Sequence, residues 1–184
     1  MARCCIVHVG PAKTGSSSIQ QTLFNELNDP NFEYANLGVS NHNMLIYTIF
    51  SRTPERFSGH RIRGFDSENI ETKRKKLRRK FRLAMAGATA PNVILSGESI
   101  ASLTANELSV MRRRLEKHVQ QVKIVAYLRP PRALMNSAFQ QRIKSRLPDF
   151  NMAKLYPRYR NKIEKLDQVF GRDNVVLWRY AAED

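Results

Sequence analysis

"CCIVHVGPAKTGSSSIQ", residues 4–20, decides how the rest of the chain reads. Its first six residues are apolar without alternation, the pattern of a strand buried on both faces. Its end opens a helical pattern over residues 16–27, with Ile19, Leu23, Phe24 and Leu27 at helical spacing. Between them lie Gly10, Lys13, Thr14, Gly15 and a row of three serines. A strand, a glycine-containing turn and a helix N-terminus form an anion site from backbone alone. The first helical N–H groups have no internal partner and carry the positive end of the dipole. Lys13 adds a mobile charge, and Ser16, Ser17 and Ser18 add hydroxyls. The lysine is out of place for a nucleotide triphosphatase, whose loop needs Gly-Lys-Ser/Thr with the hydroxyl on Mg²⁺. Here Gly15 is followed by Ser16.

Further apolar runs at 93–96, 122–128 and 175–179 predict three more buried strands. None ends in the aspartate that a metal-dependent phosphoryl transferase requires: the second strand runs into Ser96-Gly97-Glu98 and the third into Arg129. Helical patterns separate the strands. Thr104 and Glu107 have capping-box spacing ahead of Leu108, Met111 and Leu115, and residues 131–146 and 154–170 predict two more helices, the second stopping at Gly171. Residues 28–67 predict loops with one short helix near 42–51. The alternation gives an α/β domain with helices over a mostly parallel sheet.

The chain has 184 residues, 42% of them hydrophobic and 26% charged, enough for one domain with a core. Its net charge of +15 favours an acidic partner: a nucleotide phosphate, an anionic glycan, a nucleic acid or an anionic membrane. Residues 73–82, "KRKKLRRKFR", hold eight basic residues, while Leu77, Phe81 and Met85 recur every four positions. That is an apolar stripe beneath a cationic face, either simply solvated or a landing site for a polyanion. No aromatic platform accompanies the patch, which argues against nucleic acid. Cys4 and Cys5 are neighbours in a strand and point to opposite faces, so they do not bridge. The first apolar stretch is too short for a signal peptide or a spanning helix, and the chain reads as soluble and cytoplasmic, without a transmembrane segment.

"PAKTGSSSIQ" resembles the 5′-phosphosulfate loop of sulfotransferases that use 3′-phosphoadenosine 5′-phosphosulfate (PAPS), whose pattern is Lys-Ser/Thr-Gly-Thr/Ser-Thr/Ser. Lys13, Thr14, Gly15, Ser16 and Ser17 match it in order. The family's second motif is an arginine ending a later strand with a serine eight residues on. "YLRPPRALMNSAF" supplies Arg129, Ser137 and the following aromatic, Phe139. The likeness is closest to the bacterial and Golgi-type carbohydrate sulfotransferases. It implies a single sulfotransferase-like domain over residues 1–184, with a P-loop-like three-layer fold around a central, mostly parallel sheet. It implies transfer of a sulfuryl group from PAPS, without a required metal, to a hydroxyl or amine, on a carbohydrate acceptor. In that reading Lys13 meets the charge growing on the bridging oxygen. The backbone of residues 14–18, with the Thr14, Ser16, Ser17 and Ser18 hydroxyls, holds the 5′-phosphate. Arg129 and Ser137 clamp the 3′-phosphate, and Ser137 also restrains the lysine.

The family's general base is a His or Glu, and two residues here suit that place. Glu98 follows the second core strand, where an α/β active site would use a carboxylate, and otherwise would cap the next helix or pair with a lysine. His42 lies in the segment after the first helix; His60 and His8 are weaker, His8 being a strand residue. Two features depart from the family. The distal basic loop that closes over the nucleotide has no counterpart before Asp184, so either the chain is cut short or the nucleotide is held differently. Pro130 stands where an acid is common. Two other functions remain open: a P-loop kinase or NTPase with an aberrant loop, and a non-catalytic basic module that binds polyanions.

Overall fold

The computed structural model describes residues 3–11, 13–62, 64, 67–144 and 155–180. Five strands form one parallel sheet: β1 (Cys4–His8), β2 (Phe32–Tyr34), β3 (Asn92–Ser96), β4 (Gln121–Leu128) and β5 (Val175–Arg179), in the order β2-β3-β1-β4-β5. The helices are α1 (Ser16–Asn25), α2 (Asn43–Phe50), α3 (Ser58–Ile62), α4 (Ser67–Ala86), α5 (Ala105–Leu115), α6 (Pro131–Lys144) and α7 (Tyr159–Phe170). This is the expected α/β architecture. β1 is flanked on both sides, which is why Cys5, Val7 and Val9 are all buried in an unbroken apolar run. Right-handed crossovers put α1 on one face of the sheet and the later connections on the other. On that second face α2 packs on α4 and α5, and α5 packs on α7.

The basic segment lies within α4, and its apolar stripe behaves as the spacing predicts. Phe81 and Met85 are buried, Leu77 packs on the core, and the Phe81 ring meets Phe50 of α2 edge-on at 5.6 Å. One of its arginines is structural. Arg74 donates from Nε to the Thr48 carbonyl at 2.8 Å and from Nη2 to the Ser51 carbonyl at 2.6 Å, closing the C-terminal turn of α2.

Three segments differ from the expectations. The 28–67 region contains a strand, β2, and the helix α3 besides the expected α2. Three residues are too few to show a period, and β2 exists because Phe32 to Tyr34 pair with Asn92 to Ile94. α1 does not bury its apolar stripe: Phe24 is 44% exposed, and the buried positions are Ser16 and Gln20. Gln20 is drawn inward by a hydrogen bond to Ser96, described below. α7 begins at Tyr159 and ends at Gly171, while residues 145–146 and 154 of the expected helices lie outside the described residues. No described helix is long and apolar enough to cross a membrane.

The capping box is present, and it does more than cap α5. Glu107 Oε2 accepts from Thr104 N–H at 2.7 Å, and Oε1 accepts from Arg52 N–H at 2.6 Å and from the Ser51 hydroxyl at 3.3 Å. Burial alone would raise the Glu107 pKa, but these hydrogen bonds outweigh it and lower it. One carboxylate therefore locks the end of α2 to the start of α5. Glu107→Ala strands two backbone donors and should lower stability by about 3 kcal/mol. Glu107→Gln should recover part of that loss, read as the shift in thermal unfolding midpoint.

Candidate functional site

The connections leave β1 and β4 toward opposite faces of the sheet, so a crevice opens between the carboxyl ends of these adjacent strands. The loop after β1 occupies one side of it. Gly10 is required there because a Cβ would come within 2.8 Å of His8 Nε2. Gly15, at φ 73°, takes the left-handed conformation that starts α1. With no side chain at this N-cap and no acid in the first turn, the leading N–H groups of α1 have no side-chain cap. Lys13 is also left-handed, at φ 71°. Such a conformation is uncommon for a long side chain and persists only where surroundings impose it. The imposing contact is visible: Arg129 Nη1 donates to the Lys13 carbonyl at 3.2 Å.

The loop hydroxyls divide into two groups. Thr14 and Ser16 are buried, and both donate to the Pro11 carbonyl, at 2.7 and 3.2 Å. They brace the loop from within instead of pointing outward, since a polar group sealed from water must find a partner. Ser17 and Ser18 are exposed, and the N–H groups of the first turn lack a side-chain cap. An anion here would therefore meet backbone amides, two serine hydroxyls and Lys13.

Lys13 crosses the crevice. Its Nζ donates to Gln141 Oε1 of α6 at 2.9 Å. Ser137 lies one turn earlier on the same helix, half-buried. The structure thus brings Lys13 and Arg129 together, and Gln141 holds the lysine where the family likeness had implied Ser137. Tyr180 completes the wall. Its N–H donates to the Leu128 carbonyl at 2.8 Å, its ring carries Arg129 at 5.5 Å from the centroid, and its edge lies 3.4 Å from where a Gly15 side chain would begin. The sequence reading passed over Tyr180 and Gln141. Tyr180 could have been found as the aromatic that directly follows the last strand, at the carboxyl edge; Gln141 carries no such signal.

The two base candidates separate. Gly97 N–H donates to the His8 carbonyl at 3.0 Å, which sets the turn after β3 beside the loop. Glu98 opens that 3-10 turn, half-buried. Asn43 Oδ1 takes the Ser99 N–H at 2.6 Å, so capping falls to Asn43. Among the described residues the Glu98 carboxylate enters no hydrogen bond or ion pair, and it starts the turn that follows the carboxyl end of β3. His42 is fully buried beneath it, stacked on Tyr34 at 4.7 Å, with Nδ1 accepting from Ser96 N–H at 3.3 Å. A general base must reach the acceptor's proton, and His42 has no exposed surface. His60 is likewise buried, against Thr48, remote from the loop in the α2–α3 region. His8 is structural: its Nδ1 lies 2.7 Å from Ser96 Oγ, which also accepts from Gln20 Nε2 at 3.1 Å. His8, Ser96, Gln20 and His42 form a buried polar layer directly under the loop.

Solved structures share this architecture. A sulfotransferase from Alicyclobacillus acidocaldarius matches with a TM-score of 0.59 at 18% identity, over 98% of this chain and 74% of that one. A sulfotransferase domain from the curacin biosynthetic pathway matches with a TM-score of 0.51 at 11% identity, over 98% of this chain and 68% of the other. At such identities the likeness concerns the fold. No protein-family profile matches the chain, and no curated protein matches it in sequence.

Burial lowers the His42 pKa to about 4, against a smaller opposing pull from the Val39 backbone. The unfolded side chain titrates near pH ~6.5, so between these values the unfolded chain binds the extra proton. The stability contributed by neutral His42 is whole above about pH 6.5 and is lost as pH falls toward 4, by about 2–3 kcal/mol. Urea midpoints measured from pH 7 to pH 4.5 should fall accordingly. His42→Asn should give a flatter profile, and an unchanged slope would remove His42 as the cause.

Proposed function

We propose that the chain is a PAPS-dependent sulfotransferase, transferring a sulfuryl group to a hydroxyl or amine of a carbohydrate acceptor. The observation that carries this reading is the meeting of Lys13 and Arg129 across an uncapped helix start. In PAPS the 5′-phosphosulfate and the 3′-phosphate hang from one ribose, so their receptors must be neighbours on the protein. Lys13 with the first turn of α1 suits the first group, and Arg129 with Ser137 suits the second, through charge-assisted hydrogen bonds. Tyr180 offers the nucleoside an aromatic wall between them. The sulfotransferase folds of the structural neighbours support the same reading.

PAPS supplies the sulfuryl group; this chain's residues supply position, charge and proton transfer. Glu98, after the carboxyl end of β3, takes the proton from the attacking acceptor oxygen or nitrogen. Lys13 would meet the charge left on the donor's bridging oxygen when the sulfuryl group forms its bond to the acceptor and leaves that oxygen with the electron pair. In the resting structure Gln141 holds the Lys13 ammonium, so Lys13 must exchange that partner for the bridging oxygen as the site fills. The residues fit a metal-independent reaction, since a lysine stands where a kinase relies on Mg²⁺.

Titration calorimetry with adenosine 3′,5′-bisphosphate tests the assignment directly. Arg129→Ala should weaken that binding by about 10- to 100-fold. Lys13→Ala and Glu98→Gln should each lower kcat by about 100-fold, with much smaller effects on nucleotide affinity. Transfer from PAPS should survive a chelator. Mg²⁺-dependent ATP turnover with no binding of the bisphosphate would reassign the site to phosphoryl transfer.

A further inference from the structure

A cavity lies away from this crevice, between α4 and α5. It has a volume of about 640 Å³. Arg78, Arg79 and Arg82 line one wall from α4; Arg113 and Arg114 from α5, with Lys117 from the turn after it, line the other. Both walls carry cations at the same sequence spacing, i, i+1 and i+4. The cleft runs down the helix pair toward Lys117 and His118. These lie just before Gln121, whose N–H bonds the Arg3 carbonyl at the amino edge of the sheet. The loop of residues 9–15 lies at the opposite, carboxyl edge.

Among the described residues none of those six cations makes a side-chain hydrogen bond or an ion pair. Two carboxylates near these walls are used elsewhere, Glu71 by Arg74 at 3.2 Å and Glu116 by Arg112 at 2.6 Å. Arg78 is the deepest of the six, and its Nε is buried without a partner. Burial, then Arg74 and Arg114, depresses its pKa, while Glu71 pulls the other way. His118 is depressed by burial and then by Lys117 and Arg82. Six like charges are gathered along one concavity, five of them on exposed side chains and one, Arg78, with a sealed donor.

We propose that the α4–α5 cleft is a second binding site, for an oligosaccharide carrying sulfate or carboxylate groups. Four observations select this occupant. The volume suits a compact ligand. Charges recurring along both walls suit anionic groups recurring along a chain. The floor of Ile49, Phe81 and Val110 is apolar, and Phe81 is only 3% exposed, so no aromatic face is offered to a base and single-stranded nucleic acid lacks its usual platform. Finally, guanidinium groups lead the lining, and they grip sulfate and carboxylate through paired N–H donors. The proposal does not rest on the transfer reading, because the cleft shares no residue with the crevice.

The test uses the full chain and a fluorescent hexasaccharide prepared from heparin, followed by anisotropy over a series of salt concentrations. The R79Q/R82Q/R113Q/R114Q variant should bind it about 100-fold more weakly, with a shallower salt dependence. The K75Q/K76Q/K80Q/K123Q variant removes the same charge from exposed sites outside the cleft and should stay within about 3-fold of wild type. Relief of repulsion predicts that the cleft variant unfolds at no lower temperature than wild type. If it is not folded, R82Q/R114Q replaces it, with an expected loss of about 10-fold. Lys13→Ala should leave hexasaccharide binding intact even if it abolishes transfer. Equal losses in the cleft and control variants would overturn the proposal. So would displacement of the hexasaccharide by adenosine 3′,5′-bisphosphate, or equal or tighter binding of oligo-dT of the same charge.

Discussion

β1 is hydrogen-bonded on both sides, and its register fixes what can meet at the carboxyl edge. Cys4 pairs with Asn92 of β3 and with Gln121 of β4, so His8 finishes level with Ser96 on one side and Val125 on the other. The loop bearing Lys13, the turn bearing Glu98 and the strand end bearing Arg129 therefore leave from one edge. A slip of one residue would turn Ser96 to the other face of the sheet, away from His8, and carry Arg129 away from the Lys13 carbonyl. Apolar packing makes the sheet stable, but the pairing of β1 with both neighbours makes the crevice.

The loop on top is stiffened by polar contacts that face inward. Thr14 and Ser16 close onto the Pro11 carbonyl, Gly10 rests on the His8 ring, and Ser96 joins His8 to Gln20. A loop already held in shape loses less entropy when an anion arrives. The same layer exposes the fold to acid, because histidines buried as neutral rings must charge when the chain unfolds at low pH. Stiffness at the mouth and sensitivity beneath it are two results of one buried network.

How far the sequence foretold this follows from the range of each interaction. The four long strands, the α5 capping box and the α4 stripe rest on local periodicity, and all appear. β2 rests on pairing with a strand some sixty positions away, and three residues carry no period. The loop motif and the strand end bearing Arg129 bring Lys13 and Arg129 together, since both follow directly from strand ends. What each hydroxyl does there was not legible. Thr14 and Ser16 look like Ser17 in the sequence, and only their position relative to Pro11 turns them inward. His42 stood as a second base candidate behind Glu98 for the same reason: exposure at the edge of a sheet is a tertiary property. Gln141 and Tyr180 reach the crevice across distances in sequence that no motif spans.

The basic residues make the same point with more force, because a charge count treats them alike. Arg74 and Arg112 are spent inside the fold, donating to carbonyls at the ends of α2 and α7. Lys13 and Arg129 are tied to each other's segments at the crevice. The cations of the α4–α5 cleft have neither fate: they share a concavity with no carboxylate among them. Arginines that ended a helix could be replaced by other capping groups, and charges on an open face are screened by water and salt. Like charges gathered along one concavity repel one another, and a bound anion would relieve that repulsion. The physical meaning of the chain's large positive charge thus lies less in its total than in this unneutralised fraction, and in the distance that separates it from the crevice.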